Sequence, residues 1–503
     1  MNNNSNKMKS KPKGLKYMFS GTWPQIIAVL SCTVSAIGDG MQYGWSAPII
    51  PVLEGPDSPV KITDSDKDWI ENIYLIGGIF GVPITILLVD RIGRKYLVIG
   101  AGVLNLAAWI VTALAKHSTP LLIARFMTGI AGDVAFVAAP MYIAEIADQK
   151  IRGFLATLIY TMMLIGIFLI YAIGPYVSVF VSSCVGASFL IVQLITFPFM
   201  PETPYFYLCR GKYEKAKRSL ERLRVNPDVN KEMSEMKAAI ERQKTESGKP
   251  KDLFMEKSNR KAVIIMVVLN AAQHLSSISV MLMNMHMILQ AAGSIYIQTN
   301  YAAMIFSALM MFAAMVAGLV CDRFGRKILL ITSSILTGAV LLILAIFFHL
   351  KEIGMDVDSV SWVPVLCVLS YALFFKIGLG IIPIVLTAEL FPAKVKAMGM
   401  STADALYLIW ALISVYLFLY TSRTFGMSVP FYIFAFCSLG SAAFCAWVVP
   451  ETKGRTLEEI QMILKGIPVT RASLELIEIT KSKESNLNNK ETSPESQAFL
   501  EEA

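Results

Sequence analysis

Twelve apolar runs, each close to the length a helix needs to cross a bilayer, leave this chain little room for any other architecture. They fall at 24–46, 68–89, 97–115, 120–143, 153–174 and 179–200, then at 262–289, 297–320, 328–349, 362–388, 398–421 and 428–449. A spanning helix needs about 20 mainly apolar residues. In hydrocarbon each backbone amide must find a partner inside the protein, which selects helix over open strand. Composition agrees, since 55% hydrophobic and 16% charged residues with a mean hydropathy of +0.57 are too apolar for a soluble chain of 503 residues. The expected fold class is an all-α membrane protein with twelve transmembrane helices.

Short basic loops stay on the cytoplasmic side of a membrane, so the lysines and arginines set the orientation. The tail 1–23 carries Lys7, Lys9, Lys11, Lys13 and Lys16 without an acid, and the loops at 90–95, 150–152, 322–327 and 394–396 are basic. With twelve spans all of these share one side, which places both termini in the cytoplasm. The first loop on the opposite side is acidic, with Glu54, Asp57, Asp64 and Asp66. The first apolar run follows a Lys-rich tail and has no small-residue cleavage pattern, so it is expected to remain as a span. The net charge of +8 is read as loops facing anionic lipid, and nucleic acid is not an expected partner.

The two halves repeat one another. "DRIGRK" at 90–95 returns as "DRFGRK" at 322–327, "AEIADQKIR" at 144–152 returns as "AELFPAKVK" at 388–396, and "PET" at 201–203 returns at 450–452. Three repeats in one order, at offsets of 232, 244 and 249 residues, define two copies of a six-span unit. The resulting division is a tail (1–23), a first bundle (24–200), a charged linker (201–261), a second bundle (262–449), and a C-terminal helix with a polar, disordered tail (450–503). Opposite charges at the helix ends, with Gly93 and Gly325 allowing tight turns, are suited to latch neighbouring spans. A latch that holds in one state and breaks in another fits two bundles that rock against each other.

"DRIGRK", "PMYIAEIADQKIRG", "PETPYFYLCRGKYEKAKRSL", "AELFPAKVKAMG" and "PETKGRTLEEI" together resemble the sugar porter family of the major facilitator superfamily, from about residue 24 to 464. The acidic first loop and "YGWSAPIIPVL" are similar to its insect branch around trehalose transporters. The resemblance implies two pseudo-symmetric six-helix bundles with short cytoplasmic helices, for which 212–224 and 455–464 have helical apolar spacing. It implies membrane transport of a sugar, trehalose or hexose-like, by alternating access, in the plasma membrane and by a monomer. It also implies a cytoplasmic gate of Asp90, Arg91, Arg94, Glu145, Arg152, Asp322, Arg323, Arg326, Glu389 and Lys396. In the second repeat each acid stands seven residues before a base, Glu145 before Arg152 and Glu389 before Lys396. Lys396 stands where the family has Arg, which removes bidentate geometry, and Tyr205 stands where the family has Arg after "PET".

At the substrate site the chain departs from the family pattern. Sugar hydroxyls are held by amides and the ring is covered by an aromatic. Here Gln273 is kept, but His274, Ser277 and Ser279 follow it in span seven, Tyr160 stands at the span-five glutamine position, Met310 at the span-eight asparagine position, and Tyr407 with Leu408 at the span-eleven "NW". The candidate substrate-binding residues are therefore Gln273, His274, Ser277, Ser279, Asn284, Tyr160 and Tyr407, brought together by a broken or bent span seven.

Three further charges, Asp39, Asp133 and Lys376, lie inside spans that line the central cavity in this fold. A charge at the bilayer centre costs about 2.5–3.5 kcal/mol on insertion scales, so such residues face water or a partner. They are read either as an Asp133–Lys376 pair or as a site for a charged or proton-coupled solute, His274 included because histidine titrates near neutrality. The alternatives to sugar transport are a proton-coupled carrier of a non-sugar or charged solute and a non-transporting sensor. Seven cysteines without metal or paired-loop spacing read as small buried residues, and the Met-rich flank of span seven reads as packing. No metal or cofactor is expected. No nucleotide loop or nucleophile–base set points to an enzyme.

Overall fold

The computed structural model describes residues 21–56, 58, 60–148, 150–224, 229–245, 251–392 and 394–468, without the side chains of 242–245, 318–320, 322, 397 and 458. The N-terminal lysines, Asp57, the Asp322 side chain and the tail beyond 468 lie outside the described residues. Among the described residues twelve helical segments are long and apolar enough to cross a membrane.

In the first half span one is Trp23–Thr33 continued by Ser35–Tyr43, followed by Asp64–Ile92, Arg94–Leu114, Ser118–Ile146, Arg152–Ile173 and Val179–Thr196. The second half has Lys257–Leu275 with Ile278–Ala292 as span seven, Thr299–Phe324, Arg326–Glu352, Val363–Ile377 with Ile382–Leu390 as span ten, Lys396–Phe425 and Ser428–Trp447. Packing repeats with the sequence: span two lies on four as eight lies on ten, three on six as nine on twelve, and one on five as seven on eleven. The halves meet along spans two and eleven, five and eight, and one and seven.

The acidic first loop is largely helix. Ser46–Glu54 extends span one, and Asp64 and Asp66 occupy the first turn of span two, where the helix dipole favours a negative charge. Thr63 and Asp66 cap that turn reciprocally, Thr63 Oγ1 accepting from the Asp66 N–H and Asp66 Oδ2 from the Thr63 N–H.

At the opposite end lie the linker helices Tyr213–Leu223 and Asn230–Thr245 and the C-terminal helix Leu457–Lys465. Leu220 and Leu223 are buried, Gln25 Nε2 donates to the Leu223 carbonyl at 3.2 Å, and Arg224 Nη1 donates to the Ile146 carbonyl at 2.9 Å. Gln461 Nε2 donates to the Leu390 carbonyl at 2.6 Å. The first linker helix and the C-terminal helix are thus each tied beneath their own half through a carbonyl left free at a helix end.

Candidate functional site

The two ends of the molecule carry different contacts. At the linker end, the repeated motifs meet each other inside each half. Arg94, only 4% exposed, holds Glu145 at 2.9 Å and Asp90 at 2.9 Å, and Arg326 holds Glu389 at 3.1 Å. Thr203 Oγ1 donates to Glu145 at 2.5 Å, and Thr452 Oγ1 donates to Glu389 at 2.6 Å. The acid of each "PET" caps a helix: Glu202 accepts from the Lys95 N–H, and Glu451 from the N–H groups of Arg326 and Lys327. Gly93 and Gly325 have φ of 99° and 90°, and a Cβ there would stand 2.3 and 2.6 Å from those carboxylates. Both glycines are required twice over, by conformation and by space.

The base seven residues after each acid is not the side chain that holds it. Arg152, seven residues after Glu145, donates instead to the Ala147 carbonyl, and the exposed side chains of Arg91 and Arg323 lie outside the buried contact. Lys396 is half-buried at the start of span eleven, while Glu389 is held by Arg326 and Thr452. The pairing that counts joins the start of an odd-numbered span to the end of the next, which linear spacing cannot reveal. Tyr205 lies 5.8 Å from the Arg94 guanidinium, within cation–π reach.

At mid-depth spans seven and ten are broken, and each break satisfies the other. Span seven interrupts at Ser276–Ser277, where Ser277 has φ 77°, the one positive-φ residue other than glycine among those described. Tyr371 Oη of span ten donates to the freed Ser276 carbonyl at 2.7 Å, and Gln273 Nε2 donates to the Leu379 carbonyl, in the break of span ten, at 2.7 Å. Ser333 of span nine accepts from the Leu379 N–H at 3.0 Å and donates to the Phe374 carbonyl at 2.7 Å. The expected break in span seven is present without glycine or proline; its freed Ser276 carbonyl is met by span ten, while the Ser276 and Ser277 hydroxyls are buried without a partner among the described residues.

Beyond the break, span seven is fastened to the first half. Ser279 Oγ lies 3.2 Å from Tyr43 Oη and 2.9 Å from His274 Nδ1, and the His274 ring meets Tyr407 edge-on at 4.2 Å. Tyr171 Oη donates to the Leu282 carbonyl at 2.6 Å, Ser46 Oγ to the Met283 carbonyl at 3.1 Å, and Asn284 Nδ2 to Glu71 Oε2 at 2.8 Å. Arg423 of span eleven pairs with Asp68 of span two. A cavity of about 150 Å³ lies among these contacts, lined in part by Ser46, Lys67, Glu71, Asn284, Gln290 and Arg423.

Gln273, His274, Ser277, Ser279 and Asn284 are each less than 5% exposed, and of these Ser279 and Asn284 form the seam with the first half, while Gln273 and His274 pack against spans ten and eleven of their own half. Tyr160, packed edge-on against Phe136, is 37% exposed, and Tyr407 is half-buried.

The intramembrane charges are arranged differently from the sequence reading. Asp133 of span four faces Asp404 of span eleven, carboxyl to carboxyl, and makes no pair with Lys376. Asp39 accepts from Asn105 of span three. Lys376 is half-buried at the break of span ten, where a Cβ on Gly380 would stand 3.0 Å from its Cδ. Asp404, Glu71 and Arg125 were missed, although a charge inside an apolar run marks each of them as it marks Asp133. Arg125 is 1% exposed, donates to the Gln42 and Ile70 carbonyls, and sits 4.5 Å from the Tyr74 ring.

Comparison with known proteins places this architecture. The sequence model of the sugar (and other) transporter family matches residues 27–464. The chain belongs to that family. Similar members include the facilitated trehalose transporter Tret1 of Bombyx mori, 29% identical over 88% of this chain and 87% of that protein. Tret1 of Aedes aegypti is 29% identical over 88% of this chain, which spans only 55% of the mosquito protein's length. Among solved structures, the inward-open xylose transporter XylE from E. coli superposes with a TM-score of 0.69 at 20% identity, over 89% of this chain and 100% of that one. The proton:xylose symporter XylE bound to 6-bromo-6-deoxy-D-glucose gives 0.67 at 21%, over 87% and 99%. The shared fold is the twelve-helix major facilitator fold, with the repeats of this family member at equivalent places in its two halves.

Proposed function

We propose that this chain carries a small polar solute, first of all a sugar such as trehalose or a hexose, across a membrane by alternating access. The observation that carries this reading is the asymmetry between the two ends. The hydrogen bonds of Ser46, Tyr171, Asn284 and Arg423 fasten the halves together at the first-loop end, while the Arg94 and Arg326 networks at the linker end each stay within one half. Such an arrangement is a carrier fastened across its halves at the first-loop end, with the charged motifs at the linker end leaving the halves free to part there. Membership of the sugar (and other) transporter family and the trehalose-transporter relatives favour a carbohydrate.

On this reading the first-loop end faces the outside of the plasma membrane and both termini face the cytoplasm, in keeping with the basic loops of the linker end. Gln273, His274, Ser277, Ser279 and Asn284 become solute ligands when the seam parts, with Tyr160 and Tyr407 offering flat faces to a sugar ring. The route lies between two halves of one chain, so a monomer suffices. A second reading, a solute bearing an anionic group, rests on Lys376, which is in no ion pair among the described residues.

The test is uptake of radiolabelled trehalose, D-glucose and a panel of polyols and organic anions into proteoliposomes. Saturable uptake of trehalose or glucose is expected. Saturable uptake of an anion alone supports the second reading, and a folded protein that binds but moves none of them is a sensor and overturns both.

A further inference from the structure

Asp133 and Asp404 come from opposite halves of the molecule and meet on the linker side of the seam where Ser279 meets Tyr43. Asp133 sits midway along span four. Asp404 is eight residues from the linker end of span eleven, about 12 Å along the helix. Asp133 is 8% exposed, and its Oδ2 has no donor in hydrogen-bonding reach, whereas Asp404 is half-buried. Gly81 of span two makes the space: a Cβ there would stand 2.8 Å from Asp133 Oδ2. A buried carboxylate oxygen without a donor, opposite a second carboxyl, leaves room for one ligand that neutralises the pair. A proton is the smallest ligand that does so.

We propose that Asp133 and Asp404 form one shared proton site that clasps the two halves together on the linker side of the central seam. With one proton bound, the O–H of one carboxyl donates to the carboxylate of the other and the halves stay joined. When the proton leaves through half-exposed Asp404 to water at the linker end, two carboxylates are left in contact and repel, and spans four and eleven part. Proton release and opening toward the linker end are then one event.

The titratable groups near the pair support this assignment. They are phenols: Tyr74 from span two, Tyr160 from span five and Tyr407 from span eleven itself. Asp39 of span one is held by Asn105. Among the described residues no lysine, arginine or histidine forms an ion pair with either carboxyl, and Lys376 of span ten is no exception. Neutralisation therefore falls to a mobile ion rather than to a side chain.

The clasp rests on the carrier reading for its purpose, and its test does not depend on knowing the solute. Spin labels on Lys150→Cys and Arg455→Cys, at the linker ends of the two halves, with Cys184 and Cys209 replaced by serine, report the separation of the halves from pH 5 to 8.5. The short-distance population is expected to grow as pH falls, by up to about tenfold in ratio per pH unit, the limit for one linked proton. Asp404→Asn and, separately, Asp133→Asn are expected to remain clasped at every pH, because the amide supplies the missing donor. A wild-type distribution that ignores pH, or a wild-type response that survives in either variant that folds, overturns the site. Closure by added sodium at fixed high pH, with no response to pH, assigns the pair to a metal cation and also overturns it. A pH-dependent clasp in a protein that carries neither trehalose nor glucose upholds the clasp and counts against the carrier reading alone.

Discussion

Arg94 and Glu145 meet at 2.9 Å across spans three and four, and the same contact recurs between Arg326 and Glu389 at 3.1 Å. Each acid is also held by the threonine of a "PET" segment, so that three motifs scattered along the sequence close into one knot per half. The first knot is the more buried, with the Arg94 and Glu145 side chains 4% and 14% exposed. Arg94→Ala should therefore lower stability by about 3–5 kcal/mol, the cost of stranding a buried charge. Arg91→Ala, on the exposed face of the same turn, should stay within about 0.5 kcal/mol. Thermal unfolding of the purified protein in detergent compares the two.

The two "PET" glutamates should answer pH with opposite signs. Burial raises the Glu202 carboxyl above the ordinary glutamate value, its backbone donors only partly offsetting that. For the less buried Glu451, burial also pushes upward, but the N–H donors of Lys453, Arg326, Lys327 and Thr452 outweigh it and the carboxyl is lowered. A lowered folded-state value stabilises above the unfolded value of about 4.3 and is lost as pH falls through the folded value. A raised one penalises the fold above its own value, and that penalty lifts on acidification. Measured against the matching Gln variant, wild type should gain ground at Glu202 as pH falls from 7 toward about 4.3, and should lose ground at Glu451 only as pH falls further, read from melting temperatures between pH 7 and 3.

Gly93→Ala should destabilise even though it adds a single methyl group. The residue holds φ 99°, and its Cβ would stand 2.3 Å from the Glu202 carboxylate. The conformational term alone is about 1–3 kcal/mol, because φ 99° with ψ 162° lies in a region that only glycine occupies readily, and displacement of the Glu202 cap adds to it. Gly100→Ala, whose Cβ meets nothing within 4 Å, is the matched control in the same span and should be neutral or stabilising in the same melt.

Ser277 is the reverse case, a side chain where glycine belongs by conformation. Ser277→Gly should keep or raise the melting temperature, because it relieves the φ of 77°. Ser277→Val should lower stability by more than about 1 kcal/mol, since a β-branched residue resists that region most.

How much of this was legible depended on whether the cause was local. The twelve spans were readable because hydrocarbon thickness fixes their length, and the linker and C-terminal helices because Leu220, Leu223, Ile460 and Leu464 repeat at helical spacing. Glu145's partner was not, because it is chosen by which helix ends come together, and sequence neighbour Arg152 looks just as suitable as Arg94. Ser277's left-handed turn carried no glycine or proline to announce it. Asp404, Glu71 and Arg125 did carry a readable signal, an ionisable group inside an apolar run, and were overlooked beside Asp133. The contacts of Ser279 with Tyr43 and of His274 with Tyr407 needed spans one and eleven to be placed beside span seven, which only the packed fold supplies.

The central claim is that the contacts at the first-loop end must part for a solute to pass. It is tested most directly by replacing Asp68 and Arg423, which pair across the halves, with cysteines in a chain lacking Cys184 and Cys209, and measuring radiolabelled trehalose and glucose uptake into proteoliposomes before and after a short bis-methanethiosulfonate crosslinker. The account predicts saturable uptake of at least one of these sugars that disappears on crosslinking and returns on reduction. Uptake that continues undiminished through a fully crosslinked first-loop end would contradict it.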